Sequence, residues 1–187
     1  MRRFLIFVVA VMLAVPAVFA GKYAGVQMPD QVSVAGKTLL LNGMGVRKKL
    51  WIKVYVAGLY LEHRTANAQE AINSNEVKRV VMHFLTNKAT KSKMDNGWED
   101  GFKDNVGGQV AALQPRINTF KSFFGDMHDG DIVDITIVPG EGTTVTINGQ
   151  KKGTVKGDDF GHALLKLWLG PEPPSSKMKA GMLGRYR

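Results

Sequence analysis

Arg47 is the residue whose surroundings most invite chemistry. It follows a Gly-x-Gly segment, Gly43 and Gly45, and precedes an apolar run that carries Trp51 and Tyr55. A loop arginine is ordinarily a solvated charge. One flanked by glycines, aromatic rings and a phenol can instead clamp a carboxylate or enolate oxygen, because the guanidinium presents a planar fork of donors. Two amides form a second oddity. Asn105 and Gln109 fall within the apolar stripe of a long helical stretch, beside Trp98 and Phe102. A buried amide without hydrogen bonds costs about 1–3 kcal/mol. Either each amide bonds a neighbouring backbone, or this helix face lines a cleft and an amide meets a ligand. Seven residues make almost two helical turns, so Trp98 and Asn105 project together. The expectation is a shared cleft holding Tyr55, Trp98 and Asn105, with Arg47 at its mouth.

Other chemistries find no support. The chain has no cysteine, which removes disulfides, thiolate metal sites and cysteine nucleophiles. Its four histidines are far apart, and none has a metal-ligand partner at helical spacing. Asp126 to Asp131 resembles a calcium loop at a glance, yet its glycine comes at the fifth position and no glutamate follows at the twelfth. A helix-to-strand turn is expected there. No Gly-x-Ser-x-Gly elbow, phosphate loop or dinucleotide fingerprint is present, so neither a metal nor a cofactor is expected.

The elements that must position these residues follow from periodicity. Val32 to Leu41 reads as an opening hairpin turning at Ala35-Gly36-Lys37, and the glycines of Asn42-Gly43-Met44-Gly45 should break it. Leu50 to Leu61 alternates as a strand, with Gly58 marking a bulge or bend. A short helix at Ala66–Asn73 and a strand at Val77–Leu85 follow. The pattern then gives a long helix from Thr90 to Leu113, and Pro115 opens a second one carrying Ile117, Phe120, Phe123 and Phe124. Gly97, Gly101, Gly107 and Gly108 each cost the first helix roughly 1 kcal/mol relative to alanine. Packing, or the close approach of something, must select it. Strands at Ile132–Val138, Thr143–Ile147 and Lys151–Val155 come next, the last two joined by Asn148-Gly149. Asp158 should cap a helix with Phe160, Leu164, Leu167 and Trp168 on one side. Pro171–Pro174 breaks the chain before a short helix capped by Ser175 or Ser176. Hairpins and helix pairs in this order make an α+β domain, with helices packed on an antiparallel sheet.

At its start, Arg2 and Arg3 precede an uncharged apolar run, Phe4 to Val15, and Ala17-Val18-Phe19-Ala20 offers residues that a signal peptidase reads. The run is short for a bilayer span and no other stretch approaches that length, so no stable membrane span is expected. Residues 1–20 are read as a cleavable signal peptide, and the 167 residues from 21 to 187 as one domain in the periplasm of a bacterium or beyond it. Without Arg2 and Arg3 there are 23 Lys and Arg against 16 acids, a net charge of +7. Those cations are scattered (Lys48-Lys49, Lys78-Arg79, Lys151-Lys152) instead of striped, which argues against nucleic acid. Affinity for anionic lipid headgroups or acidic ligands is compatible with the charge, but a solvated surface is the stronger reading of it. Oligomeric state leaves no trace in the sequence.

Leu41-Asn42-Gly43-Met44-Gly45-Val46-Arg47, followed by Trp51-Ile52-Lys53-Val54-Tyr55-Val56-Ala57-Gly58-Leu59-Tyr60-Leu61-Glu62, resembles the front motif of the chalcone isomerase-like superfamily. Gly97-Trp98 to Asn105, Ala163 to Gly170 and the closing Lys179-Ala180-Gly181-Met182-Leu183-Gly184 are similar to later parts of it. The resemblance implies an open-faced antiparallel β-sandwich covered by a layer of helices, with a ligand cleft between sheet and helices. In the isomerases of that superfamily an arginine stabilises an enolate, and Arg47 matches it. Their threonine on the next strand is Tyr55 here, as in the fatty-acid-binding branch, where arginine and tyrosine hold the ligand carboxylate. Their helix tyrosine is Trp98 here, their asparagine matches Asn105, and Gly161-His162 stands where a hydroxyl residue is usual. Three departures from five positions point away from catalysis, since one lost oxyanion donor typically costs on the order of 10²–10³ in rate.

The resemblance therefore favours a fatty acid or similar lipophilic carboxylate as ligand, held by Arg47, Tyr55, Trp98 and Asn105. An intramolecular lyase acting on an unsaturated carbonyl compound is the first alternative, and a non-catalytic helper or interaction protein the second. N-terminal sequencing of exported protein should give Gly21 as the first residue; material still beginning at Met1 would overturn the signal-peptide reading.

Overall fold

The computed structural model describes residues 19–185. Of the segment read as a signal peptide, Met1 to Val18 lie outside the described residues. Phe19 and Ala20 belong to β1 (Phe19–Tyr23), which pairs with β2 (Val26–Pro29) in a small hairpin.

A single antiparallel sheet of seven strands forms the frame, and its strands lie in chain order: β3 (Gln31–Val34), β4 (Lys37–Lys49), β5 (Ile52–Leu61), β6 (Lys78–Phe84), β7 (Ile132–Val138), β8 (Gly142–Ile147) and β9 (Gln150–Val155). Alternation along β5 sorts the two faces. Tyr55, Ala57, Leu59 and Leu61 join the main core under the helices, while Val56 and Tyr60 pack with Met28 of β2 on the opposite side. Val80, Met82 and Phe84 of β6 and Val133, Ile135 and Ile137 of β7 extend the helix-side face. Over it lie α2 (Lys91–Val106), α3 (Val110–Ser122) and α4 (Asp158–Leu169), with α1 (Ala68–Asn73) and α5 (Ser176–Met182) at the flanks. The α+β reading and its helix-covered, open-faced antiparallel sheet hold.

Several boundaries differ from expectation, each for a packing reason. Asn42–Gly45 does not break the chain; β4 runs straight through it. Both glycines are spaces for α5. A Cβ built at Gly43 would fall on the carbonyl of Gly181, and one at Gly45 would meet the backbone of Met178. Gly58 is no bulge either. It pairs in register with Met44 and Val81, and its missing side chain leaves room for the Met28 sulfur. The irregularities in the β4–β5 ladder fall instead at Leu41/Gly43 and Arg47/Lys48.

The expected long helix ends at Val106, because Gly107 adopts φ +60° and starts a single 3₁₀ turn over Gly107–Gln109. Helix α3 then begins at Val110, so Pro115 lies inside it and does not open it. This displaces Gln109 from the apolar stripe to an exposed turn. The Gly157 N-cap likewise makes Asp158 the first residue of α4, where its carboxylate accepts the Gly140 N–H at 2.9 Å. Gly101 answers the question of what selects α2: a Cβ there would lie 2.8 Å from Leu167, so the glycine lets α2 and α4 touch. Asn148 and Gly149, at φ +50° and +78°, make the tight β8–β9 turn as read.

The seat of α5 on β4 gives a stability prediction. Gly43→Ala should cost at least about 2 kcal/mol in urea denaturation, since its methyl group meets fixed backbone. Gly108→Ala, which faces open space, should change stability by less than about 1 kcal/mol.

Candidate functional site

The β4–β5 hairpin positions the first two site residues. Its two-residue loop, Leu50-Trp51, sets Lys49 opposite Ile52 and Lys48 opposite Lys53. Uninterrupted pairing would then place Arg47 across from Val54. The bulge at Arg47/Lys48 inserts one residue on β5, so Arg47 faces Tyr55. A one-residue slip exchanges the faces of a strand, and this one brings the guanidinium to the helix side beside the phenol.

Arg47, Tyr55, Gly97, Trp98, Leu167 and Trp168 enclose the inner part of a cavity of about 170 Å³ between the sheet and helices α2 and α4. Tyr55 is almost wholly buried, and its hydroxyl accepts a hydrogen bond from Trp168 Nε1 at 3.0 Å. Burial pushes the Tyr55 pKa up; the nearby Arg47 charge and the Trp168 hydrogen bond oppose that rise without cancelling it. The phenol therefore stays protonated at neutral pH. With its oxygen taken by Trp168, its O–H is left to donate. Arg47 has no ion-pair partner among the described residues. The Trp98 indole N–H is buried without an acceptor there. Its ring is fixed by Phe120, Phe124 and Trp168, with centroids 5.2, 5.3 and 5.8 Å away.

The structure thus brings Arg47, Tyr55 and Trp98 to one cavity. Asn105 stays on the same helix face but serves another purpose. Its amide donates to the carbonyls of Gly101 (3.0 Å) and Glu172 (2.9 Å), and its oxygen accepts the Glu172 N–H at 2.9 Å. The amide is saturated by backbone and pins the segment after α4, whose Glu172, Pro173 and Pro174 wall the outer cavity. Gly161 and His162 do not line the cavity; Gly161 packs under Ile137 and Thr143. Trp168 is the contributor that residue-by-residue reading missed. Its place in the apolar stripe of α4 was legible, but its indole donor to Tyr55 depends on how α4 crosses the sheet.

Three exposed carboxylates, Asp100, Asp104 and Glu172, stand at the rim. A second depression, broader and open at about 950 Å³, lies between Tyr23 and α5. Its walls include Lys177, Lys179 and Arg185 and no convergent buried donors, so the smaller cavity is the better site despite its size. Among the described residues no group of acids and histidines is arranged to hold a metal ion, and no helix is long and apolar enough to cross a membrane.

Residues 20–184 match the chalcone isomerase-like family model, and the chain belongs to that family. Among solved structures, it is similar to the crystal structure of an Arabidopsis thaliana fatty-acid binding protein. The two share 19% identity and a TM-score of 0.68, over 86% of this chain and 93% of that one. At that identity the likeness establishes the fold. No curated protein matches the chain.

Buried phenols, Tyr55 in the site and Tyr60 on the other face of the sheet, give the fold a pH signature. Burial also raises Tyr60 to about 12, against an ordinary tyrosine value near 10. Below about pH 10 folded and unfolded phenols both keep their protons, so the stabilising contribution is complete. Between pH 10 and 12 the unfolded chain loses protons that the folded one retains, and stability must fall as pH rises. Denaturation midpoints measured across that window should show the fall, and Tyr55→Phe and Tyr60→Phe should each flatten it.

Proposed function

We propose that this protein binds a small lipophilic carboxylate, such as a fatty acid, in the Arg47–Tyr55 cavity, and that it does so in the periplasm or outside the cell after export. The observation that carries the reading is the cross-strand pair itself. An arginine without an ion-pair partner among the described residues and a phenol with an uncommitted O–H face one cavity, whose inner wall is made by Trp98, Leu167 and Trp168. A carboxylate offers two oxygens to those two donors. Trp98 supplies a third donor that lacks an acceptor among the described residues. Asn105 supports the site by holding its outer wall.

Size limits the ligand. At roughly 30 Å³ per water-sized group, about 170 Å³ takes a head group and a few carbons. A longer tail must leave by the mouth or displace side chains such as Leu167. That the structurally similar Arabidopsis protein is called a fatty-acid binding protein agrees with this reading.

The rim favours a second reading. Asp100, Asp104 and Glu172 oppose an incoming anion but not an uncharged oxygen, so an unsaturated carbonyl compound meets Arg47 and Tyr55 with less repulsion. Turnover is not expected on chalcones, because the helix phenol of the isomerases is Trp98, which can donate but cannot accept.

Calorimetric titration with dodecanoate and palmitate tests the clamp. Charge-assisted hydrogen bonds contribute about 1.5–3 kcal/mol, so Arg47→Ala and Tyr55→Phe should each weaken binding roughly ten- to hundredfold. Arg47→Lys should recover part of the loss. Gly97→Leu, whose side chain enters the cavity next to Arg47, should abolish binding while leaving the fold intact. Equal binding by wild type and Arg47→Ala would refute the clamp. Dodecanal binding tighter than dodecanoate would select the uncharged ligand, stereoselective cyclisation of a chalcone the isomerase, and binding of neither class the helper.

A further inference from the structure

We propose that the tip of the β4–β5 hairpin docks on anionic lipid bilayers, with Leu50 and Trp51 inserted at headgroup level and the flanking lysines on the lipid phosphates. Leu50 and Trp51 are 79% and 84% exposed, and they are the only large apolar side chains so exposed among the described residues. They are adjacent, and they form the whole two-residue loop.

The sequence accepts a local cost to keep them there. Leu50 sits at φ +55° while Trp51 does not, a II′-like turn in which the first central residue is normally glycine. A branched apolar side chain in the left-handed region, pointed at water, satisfies neither backbone nor packing. Such conflicts concentrate where function requires them. A second cost lies one step below. Lys48 and Lys53 pair directly across the ladder, where like charges repel.

Charge identifies the partner. Lys48, Lys49 and Lys53 are exposed and have no acidic partner among the described residues. Leu85, whose N–H bonds the Val54 carbonyl, leads to exposed Lys88, and the Lys93 ammonium bonds the Lys88 carbonyl at 3.0 Å. Acids at this end are partly engaged: Asp95 pairs with Lys91, and Asp126 accepts the Lys91 N–H, while Asp129 is exposed. A tryptophan and a leucine ringed by lysines match the chemistry of an anionic interface, where the indole sits at the headgroups and each cation gains from the surface potential. Arg47 lies three residues from the tip, about 10 Å at the rise of a strand. Docking would therefore hold the cavity near the lipid, whatever ligand the cavity takes.

The test is sedimentation of the full chain with vesicles of phosphatidylcholine alone or with phosphatidylglycerol added. Trp51 reports on the tip, because Trp98 and Trp168 are buried. Anionic vesicles should bind the protein, blue-shift its emission and shield it from acrylamide, and Trp51→Phe should remove the shift. Leu50→Ser with Trp51→Ser should weaken partitioning at least tenfold. At about fivefold per cation, serine at 48, 49 and 53 should weaken it roughly a hundredfold. The apolar N-terminal run is present in every variant, so only the tip differs. Unchanged partitioning in the Leu50/Trp51 variant, an equal shift of Trp51 emission on uncharged vesicles, or Trp51 still open to acrylamide on anionic vesicles would overturn the proposal. So would a concentration-dependent dimer that the double variant abolishes, since the tip would then be covered by a second copy.

Discussion

The contact on which most else depends is the approach of α5 to β4 with no side chain between them. Gly43 and Gly45 present bare backbone, and Gly181 and Met178 of α5 lie directly against it. Asn42 locks the same place: its amide donates to the Met182 and Thr65 carbonyls at 2.8 and 3.0 Å, and its oxygen accepts the Thr65 N–H. A helix of seven residues has little stability of its own. Seated here it is held by polar bonds and close packing, and it fixes the end of the Pro171–Pro174 segment. Asn105 fixes the other end through Glu172. The outer wall of the cavity is thus suspended between two asparagines, neither of which needs to touch a ligand.

Inside that wall, the electrostatics are arranged by what is withheld. Most cations with a nearby acid use it: Arg79 pairs with Asp134, Arg116 with Asp159 and Lys121 with Glu99. Buried Lys78 is satisfied by the carbonyls of Ser74 and Glu76 at the end of α1. Arg47 is different. Rim carboxylates line the same cavity, yet none forms an ion pair with it. A guanidinium left available next to a protonated phenol is a site waiting for an oxygen. The rim acids would tune which oxygen enters.

The β4–β5 hairpin unites these features along a gradient of burial. Its base is packed on both faces, with Leu59, Tyr60 and Leu61 fully enclosed. Its middle carries the Arg47–Tyr55 pair, and its tip offers Leu50 and Trp51 to solvent. The bulge between middle and tip lets one hairpin point Arg47 at the cavity while Lys48 and Lys53 face outward.

The sequence by itself determined the elements whose signal is local. Alternation in β5 and β6, Asn148-Gly149, and the apolar stripe of α4 were readable because period and turn chemistry act over a few residues. The family motif carried Arg47, Tyr55 and Trp98 together. Only the tertiary structure decided how they meet. Glycine is a turn former by local propensity, so Gly43, Gly45 and Gly58 read as breaks; they are instead spaces for another chain segment, which no local signal records. Asn105 read as ligand-facing, but its amide is taken by backbone, including a partner 67 residues away that no local signal announces. The bulge that turns Arg47 toward Tyr55 has no composition of its own. Long-range packing selects the register, because burying the wrong face of a strand costs more than one unpaired residue.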